Sequence, residues 1–279
     1  MPLTPSETTR LLGELGHYPK IKLGQNFLID GNIVEKSIDM ADLPAGMPVV
    51  EIGPGLGTLT RKLLEGGHEV HAVEIDNTLF KNLERSLLSY TESKRLTLTQ
   101  GDAVKLPNAS LPKEQGNYAV VANLPYAISS AWLESLLATE RLPVRMVLML
   151  QREAIDRMWA KCGTKSYSAL SIFLHAAFLH HKSHSVSRRC FHPVPSVDSV
   201  LARMDLLPDP FLFPAPDRAL IRRIFTQRRK QIGSIARQEE DNTRSAILDW
   251  LQENGIAQTL RPEQIEPEAW IKLANRPRN

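Results

Sequence analysis

An α/β domain with a parallel sheet covered on both faces, followed by a small all-helical C-terminal domain, is the fold class this sequence predicts. Three observations carry it. Short apolar runs alternate with stretches whose apolar residues recur every three or four positions. The first run feeds directly into a glycine-rich turn and then a helix-like stretch. Beyond residue 205 the composition shifts to proline, and then to a basic segment with helical periodicity.

The strands come in order as "PVVEI" (48–52), "EVHAVEI" (69–75), "RLTLTQ" (95–100), "YAVVAN" (118–123) and "VRMVLMLQ" (144–151). Between them lie helix-like segments such as "TLTRKLLEGG" and "NTLFKNLERSLLSY". Strand and helix in alternation imply parallel strands with helices on both faces. Two later runs, "FLHHKSHSVS" and "SVLARMDLL", are close enough in sequence to be antiparallel neighbours. The stretch "LLPDPFLFPAPD" (206–217) contains prolines that disfavour helix and central strand, and reads as a linker. The expected organisation is therefore an α/β domain over 1–205, a linker over 206–217 and a helical domain over 218–279. The tail is too short to bury a large core alone.

Bulk properties exclude several classes. The chain has 279 residues, of which 42% are hydrophobic and 23% charged, an ordinary soluble balance. The longest apolar run, Met146 to Leu150, is far shorter than a membrane span. The start "MPLTPSETTR" has no apolar core of a secretion signal. Two cysteines, Cys162 and Cys190, make neither a disulfide framework nor a zinc site. A net charge of +3 suits a polyanion without demanding one.

The chemistry concentrates at the expected strand ends. Gly53, Gly55 and Gly57 follow the first strand, where glycine permits positive φ and close approach of backbone to a ligand. Their G-x-G-x-G spacing, with Pro54 inside, is not the G-x-G-x-x-G of dinucleotide binders. Glu74 ends the second strand, where an acid can accept hydrogen bonds from both hydroxyls of a ribose. Asp102 follows the third strand, placed for the exocyclic amine of an adenine. Either acid alone is as well read as a helix cap or a solvated carboxylate. The fourth strand ends in "NLPY", Asn123 to Tyr126. An exocyclic amino group on a base is a poor nucleophile, because its lone pair is delocalised into the ring. The Asn123 amide oxygen and a backbone carbonyl at Leu124 or Pro125 can accept its two N–H groups and turn the lone pair outward. Tyr126 offers a flat face for the base. The competing reading is an ordinary Asn-Pro-type turn with an interfacial tyrosine.

Taken in chain order, "GQNFL" (24–28), "VEIGPGLGTLT" (50–60), "VEID" (73–76), "GDAVKL" (101–106), "NLPY" (123–126) and "FHPVPSVDS" (191–199) resemble the small-subunit ribosomal RNA adenine N6,N6-dimethyltransferases. The likeness runs from about Gly24 to the final "LRPEQIEPEAWIKLAN". It implies a Rossmann-like methyltransferase sheet and S-adenosylmethionine as cofactor. It also implies transfer of two methyls to each of two adjacent adenines in small-subunit ribosomal RNA. By the same likeness, Asn26 and Leu28 close over the cofactor and Gly53 and Gly55 lie against its methionine part. Glu74 holds the ribose with Ile75 beside it, Asp102 takes the adenine, and Asn123 touches both cofactor and target amine. Leu124 and Pro125 belong to the catalytic turn, and Tyr126 and Phe191 sandwich the flipped adenine. The implied partner is RNA in an immature ribosomal particle, met by a monomer in the cytoplasm without a membrane. Two departures stand out: "KIKL" replaces the usual basic and aromatic residues before "GQNFL", and "QIGSIARQ" inserts a glycine after "QRRK".

A histidine cluster and a basic run remain. His180, His181 and His184 read as solvated or RNA-facing, and no metal is expected. Between Arg218 and Arg237 there are basic residues and no acid. Arg222, Arg223, Arg228, Arg229 and Lys230 are candidate phosphate contacts; Arg222, Arg223, Arg229 and Lys230 recur at helical spacing. The alternative readings are a large-subunit adenine methyltransferase of the antibiotic-resistance type, a non-catalytic assembly factor, and a nicotinamide dehydrogenase. The glycine spacing and "NLPY" disfavour the last.

Overall fold

The computed structural model describes residues 3–276. Strands are β1 (Phe27–Leu28), β2 (Val49–Ile52), β3 (Val70–Glu74), β4 (Leu96–Gln100), β5 (Ala119–Asn123), β6 (Arg145–Gln151), β7 (Phe178–Val186), β8 (Phe191–His192) and β9 (Ser199–Leu206). Helices are α1 (Pro5–Glu14), α2 (Gly31–Ala41), α3 (Thr58–Glu65), α4 (Asn77–Ser86), α5 (Leu88–Glu92), α6 (Ser129–Leu136), α7 (Arg152–Met158), α8 (Ala169–Ala177), α9 (Ala215–Thr226), α10 (Ile232–Ala236), α11 (Asp241–Glu253) and α12 (Pro267–Ala274). All five strands expected in the first half form, each within one or two residues of its expected ends.

Seven strands make one sheet in the order β4-β3-β2-β5-β6-β9-β7, and β1 pairs with β8 separately. The strands from β4 to β6 run parallel, and β9 runs antiparallel to β6. β7 and β9 are neighbours, as their closeness in sequence suggested. Central β2, β3 and β5 are buried along almost their whole length, which is why they read as continuous apolar runs. Edge strand β4 is buried only at Leu96, the rest of it being half-buried or exposed, as an edge strand can be. Strand order reverses between β2 and β5, with Val49 beside Ala119 and Val50 beside Val120. In an open α/β sheet, ligands bind beyond the carboxyl ends of strands at such a reversal.

The chain forms two compact units, one of residues 1–155 with 180–206, the other of 156–179 with 207–279. In the first unit, Arg203 is buried on β9 yet compensated. Its guanidinium donates to Asp205 and to the Met40 carbonyl. Burial works to raise the Asp205 carboxyl, but hydrogen bonds from Arg145 and Arg203 outweigh it and hold it below the usual carboxylate range.

The second unit corrects the expected boundary. A tail starting at 218 has too little apolar surface for its own core, and α8 supplies it, packing against α9 and α12. Trp250 and Trp270 lie 5.2 Å apart at their ring centres, and Phe225 is 5.6 Å from Trp270, so Phe225 packs into this core. The proline-rich stretch is pinned within this unit. Leu207 and Phe211 donate backbone N–H groups to Ala177 and Ala176, Phe213 is buried, and α9 begins at Ala215.

The unexpected glycine of "QIGSIARQ" has a packing reason. Gly233 N–H donates to the Gln258 carbonyl at 2.9 Å, and a Cβ at 233 would lie 2.7 Å from Gln258 Cβ and 3.1 Å from that carbonyl. Gly233→Ala should therefore destabilise this unit by roughly 1–3 kcal/mol through overpacking. The check is urea unfolding followed by tryptophan fluorescence; an unchanged midpoint would contradict the packing.

Candidate active site

A cavity in the first unit sits at the carboxyl ends of β2, β3 and β5, with "GQNFL" along one side. The glycine turn forms its floor. Gly53 has φ +67°, and a Cβ there would come 2.9 Å from Pro125 Cγ. Gly55 has φ +60°, and its Cβ would come 3.2 Å from the Phe27 ring. The turn is thus wedged between "NLPY" and "GQNFL", and only glycine fits both the conformation and the space.

The lining contains three acids, Glu51, Glu74 and Asp102, and no lysine, arginine or histidine. Glu74 is buried and both its oxygens are used: Oε2 accepts the Gly55 N–H at 3.1 Å and Oε1 the Asp76 N–H at 2.8 Å. Burial raises its carboxyl and these backbone donors work against that. Asp102 turns one oxygen to the Val104 N–H at 2.9 Å, an Asx turn that holds its carboxylate at the cavity edge. Ile75, half-exposed beside Glu74, lines the same cavity. An all-acid, glycine-floored cavity at this place favours a cationic ligand.

Asn123 ends β5 at the rim. Its Nδ2 donates to the Asn26 carbonyl at 3.0 Å, and Asn26 Nδ2 donates to the Gly24 carbonyl at 3.2 Å. With the amide nitrogen engaged, Oδ1 is the end left to accept a hydrogen bond. The Pro125 carbonyl already accepts the Ile128 N–H at 3.1 Å. Tyr126 lines the cavity, its hydroxyl 2.6 Å from Ser199 Oγ. Burial raises the phenol and the Ser199 hydrogen bond opposes it. Asn26, Leu28 and Leu124 also line the cavity.

Phe191 is a correction. It was expected opposite Tyr126, but it is fully buried in the core with Leu28, Val186 and Leu201, and it does not line the cavity. Its backbone pairs with Leu28, so the aromatic anchors β8 beneath "GQNFL".

The basic set is a second correction. α9 ends at Thr226, so Arg228, Arg229 and Lys230 lie past it and share no helical face with Arg222 and Arg223. The Arg222 guanidinium lies 5.7 Å from the Phe173 ring centre, Arg223 pairs with Glu239 at 2.5 and 2.8 Å, and Arg228 donates to the carbonyls of Lys165 and Tyr167. Arg229 and Lys230 are exposed. Of the histidines, His181 Nδ1 lies 3.8 Å from Asp205 Oδ2. Among the described residues no group of three or more histidine, cysteine, aspartate or glutamate side chains is arranged to hold a metal. No helix there is long and apolar enough to cross a membrane.

Sequence reasoning missed a latch beside the cavity. Asp76 caps α4 through the N–H groups of Thr78 and Leu79, and its other oxygen takes Lys20 Nζ at 2.6 Å. His17 Nδ1 lies 3.7 Å from Asp76, and His17 Nε2 is 3.1 Å from Gln25 Oε1, which also accepts the Lys20 N–H. The only signal was that Asp76 falls inside the quoted "VEID". Ser199 was missed as well, although it closes the quoted "FHPVPSVDS".

Ser199→Ala should leave the Tyr126 hydroxyl buried without its partner, at about 1–3 kcal/mol. A double-mutant cycle with Tyr126→Phe should return a coupling of roughly 0.5–3 kcal/mol in urea unfolding. Additive losses would mean that Ser199 does not hold the ring.

Comparison with known proteins places this architecture. The chain is 48% identical over 274 residues to ribosomal RNA small subunit methyltransferase A of Opitutus terrae, covering 98% of each chain. It is 34% identical to the protein of that name from a Synechococcus species, over 93% of this chain and 94% of the other. A solved dimethyladenosine transferase from Plasmodium falciparum superposes with a TM-score of 0.71 at 27% identity, covering 88% of this chain and 95% of that one. A solved 23S rRNA methyltransferase, ErmE, shares the fold with a TM-score of 0.62 at 24% identity, over 90% of this chain and 100% of that one. The model of the family described as ribosomal RNA adenine dimethylase matches residues 16–278, and the chain belongs to that family.

Proposed function

We propose that the protein transfers methyl groups from S-adenosylmethionine to N6 of two adjacent adenines in small-subunit ribosomal RNA, as a step in small-subunit biogenesis. The observation that carries the reading is the acid-only, glycine-floored cavity with Asn123 and Tyr126 at its rim. The names of the relatives favour the small-subunit RNA over the large-subunit alternative. The intact catalytic turn argues against a non-catalytic assembly factor.

The residues present fit the cofactor. Glu51 Oε2 is buried at the cavity with no hydrogen-bond partner, and the lining offers carboxylates and no cation. S-adenosylmethionine supplies a methyl group on a cationic sulfonium. Glu74 holds the ribose hydroxyls, Asp102 the adenine amine, and Ile75 covers the ring. Gly53 and Gly55 leave backbone open to the methionine part, while Asn26 and Leu28 close the opposite side. Asn123 Oδ1 and the Leu124 carbonyl accept the two N–H groups of the target amine, so its lone pair points into the cavity. Pro125 fixes the turn, and Tyr126 stacks on the base with its ring held by Ser199. No general base is required, since the protonated product amine gives its proton readily to water. The work is positioning and hydrogen bonding.

The RNA is met within an immature ribosomal particle, in the cytoplasm, by a monomer. Arg229 and Lys230 are the basic residues best placed for phosphate, being exposed and outside the Arg223–Glu239 pair.

Glu74→Ala should weaken S-adenosylmethionine binding by about 1.5–3 kcal/mol, read by calorimetry on protein shown to be folded. Unchanged affinity would remove Glu74 from the cofactor site. Asn123→Ala should abolish methyl transfer to immature small subunits, followed by mass spectrometry of RNA nucleosides, while cofactor and particle still bind. Substantial turnover would defeat the amine activation. Arg229→Glu with Lys230→Glu should flatten the salt dependence of particle binding, by about one unit of slope per lost phosphate contact. A slope equal to wild type would return both to a solvated surface.

A further inference from the structure

Glu51 is the one acid of the cavity that the proposed contacts leave unused. It stands on β2 directly before the glycine turn and is only 2% exposed. Its Oε2 has no hydrogen-bond partner. Glu74 differs: both of its oxygens accept backbone N–H groups, which favours the ionised form. Other groups facing Glu51 give little help. Glu74 on β3 adds like charge, and the Thr60 hydroxyl of α3 opposes it without completing a hydrogen bond to Oε2. Ala72, the β3 residue registered beside it, is apolar. No cationic side chain lines the cavity. Two adjacent buried carboxylates with no cation between them cannot both ionise cheaply.

We propose that Glu51 is a proton-linked counter-ion: protonated while the cavity lacks a cation, and ionised when the cationic cofactor enters, releasing its proton to solvent. The proposal rests on the cofactor reading above. The balance is simple. The O–H bond of the Glu51 carboxyl breaks, the proton passes to water, and the carboxylate left behind faces a positively charged ligand. Burial, with Glu74 adding to it, pushes the Glu51 carboxyl up to about 8. A bound cation lowers it. The sign follows. Cofactor affinity rises with pH, by up to about tenfold per unit, until about pH 8, where Glu51 ionises in the empty cavity as well. Above that it levels off. A second consequence concerns product. S-adenosylhomocysteine lacks the sulfonium charge, so it drives less ionisation and binds with a shallower pH dependence.

The test is calorimetry of S-adenosylmethionine and S-adenosylhomocysteine binding, at pH 6–9, in buffers of different ionisation enthalpy. Comparing wild type with Glu51→Gln subtracts the titration of the ligand's own amino group. Near neutral pH, wild type should release about one more proton than Glu51→Gln on binding S-adenosylmethionine. Equal release by both would overturn the proposal. Should Glu51→Gln fail to fold, infrared difference spectra of wild type labelled with carbon-13 glutamate give the same answer. Loss of a protonated carboxyl band on adding S-adenosylmethionine supports the proposal, and no loss overturns it. Wild type that binds neither ligand would sink the cofactor reading itself; binding without proton release would sink this inference alone.

Discussion

The reversal of strand order between β2 and β5 is the constraint on which the rest depends. Because those strands are parallel neighbours, the residues leaving their carboxyl ends meet. Gly53 comes off one and Asn123 off the other. The 2.9 Å approach that a Cβ at Gly53 would make to Pro125 measures how closely the two turns interlock. The glycine turn and "NLPY" are therefore brought side by side by the sheet itself. The same edge receives Glu74 from β3 and Asp102 from beyond β4, so the cavity acquires its negative lining from strand ends alone.

That lining is expensive, and the fold manages its cost unevenly. Glu74 is offset in part by two backbone donors, burial still holding its carboxyl above the usual carboxylate range, while its helix N-terminus and Lys20 hold Asp76. The Lys20 contact also ties the segment before "GQNFL" to the loop that follows Glu74. The "KIKL" stretch that departs from the family pattern supplies Lys20 for this tie. Glu51 receives no such compensation. A buried polar group left unmatched in a native protein is most economically matched by the ligand.

Much of this was legible in the sequence because parallel strands buried on both faces must be apolar throughout, and their ends are then marked by the first polar or glycine residue. Gly53, Glu74, Asp102 and Asn123 were found in that way. Phe191 was misplaced because an aromatic before a proline-stiffened loop fits a core anchor as well as a stacking face, and only its pairing with Leu28 decides. The basic residues after α9 were misread because periodicity continues through "TQRRK" whereas the helix stops at Thr226. Nor could spacing reveal that Arg223 meets Glu239. The second unit's need for α8 was hidden for a similar reason: the helix is far from the tail in sequence, and shortage of core is a property of the tail, not of α8. The latch of His17, Lys20, Gln25 and Asp76 is built from residues common on any surface, so nothing local marked it.

The central claim is that this acid-lined cavity holds S-adenosylmethionine with its reactive end toward Asn123. A crystal structure of the protein with S-adenosylhomocysteine tests it most directly. Ribose hydroxyls are expected on the Glu74 carboxylate, the adenine amine at Asp102, and the sulfur directed to the rim formed by Asn123 and Tyr126. A ligand bound outside this cavity, or lying within it with its adenine at Asn123, would contradict the account.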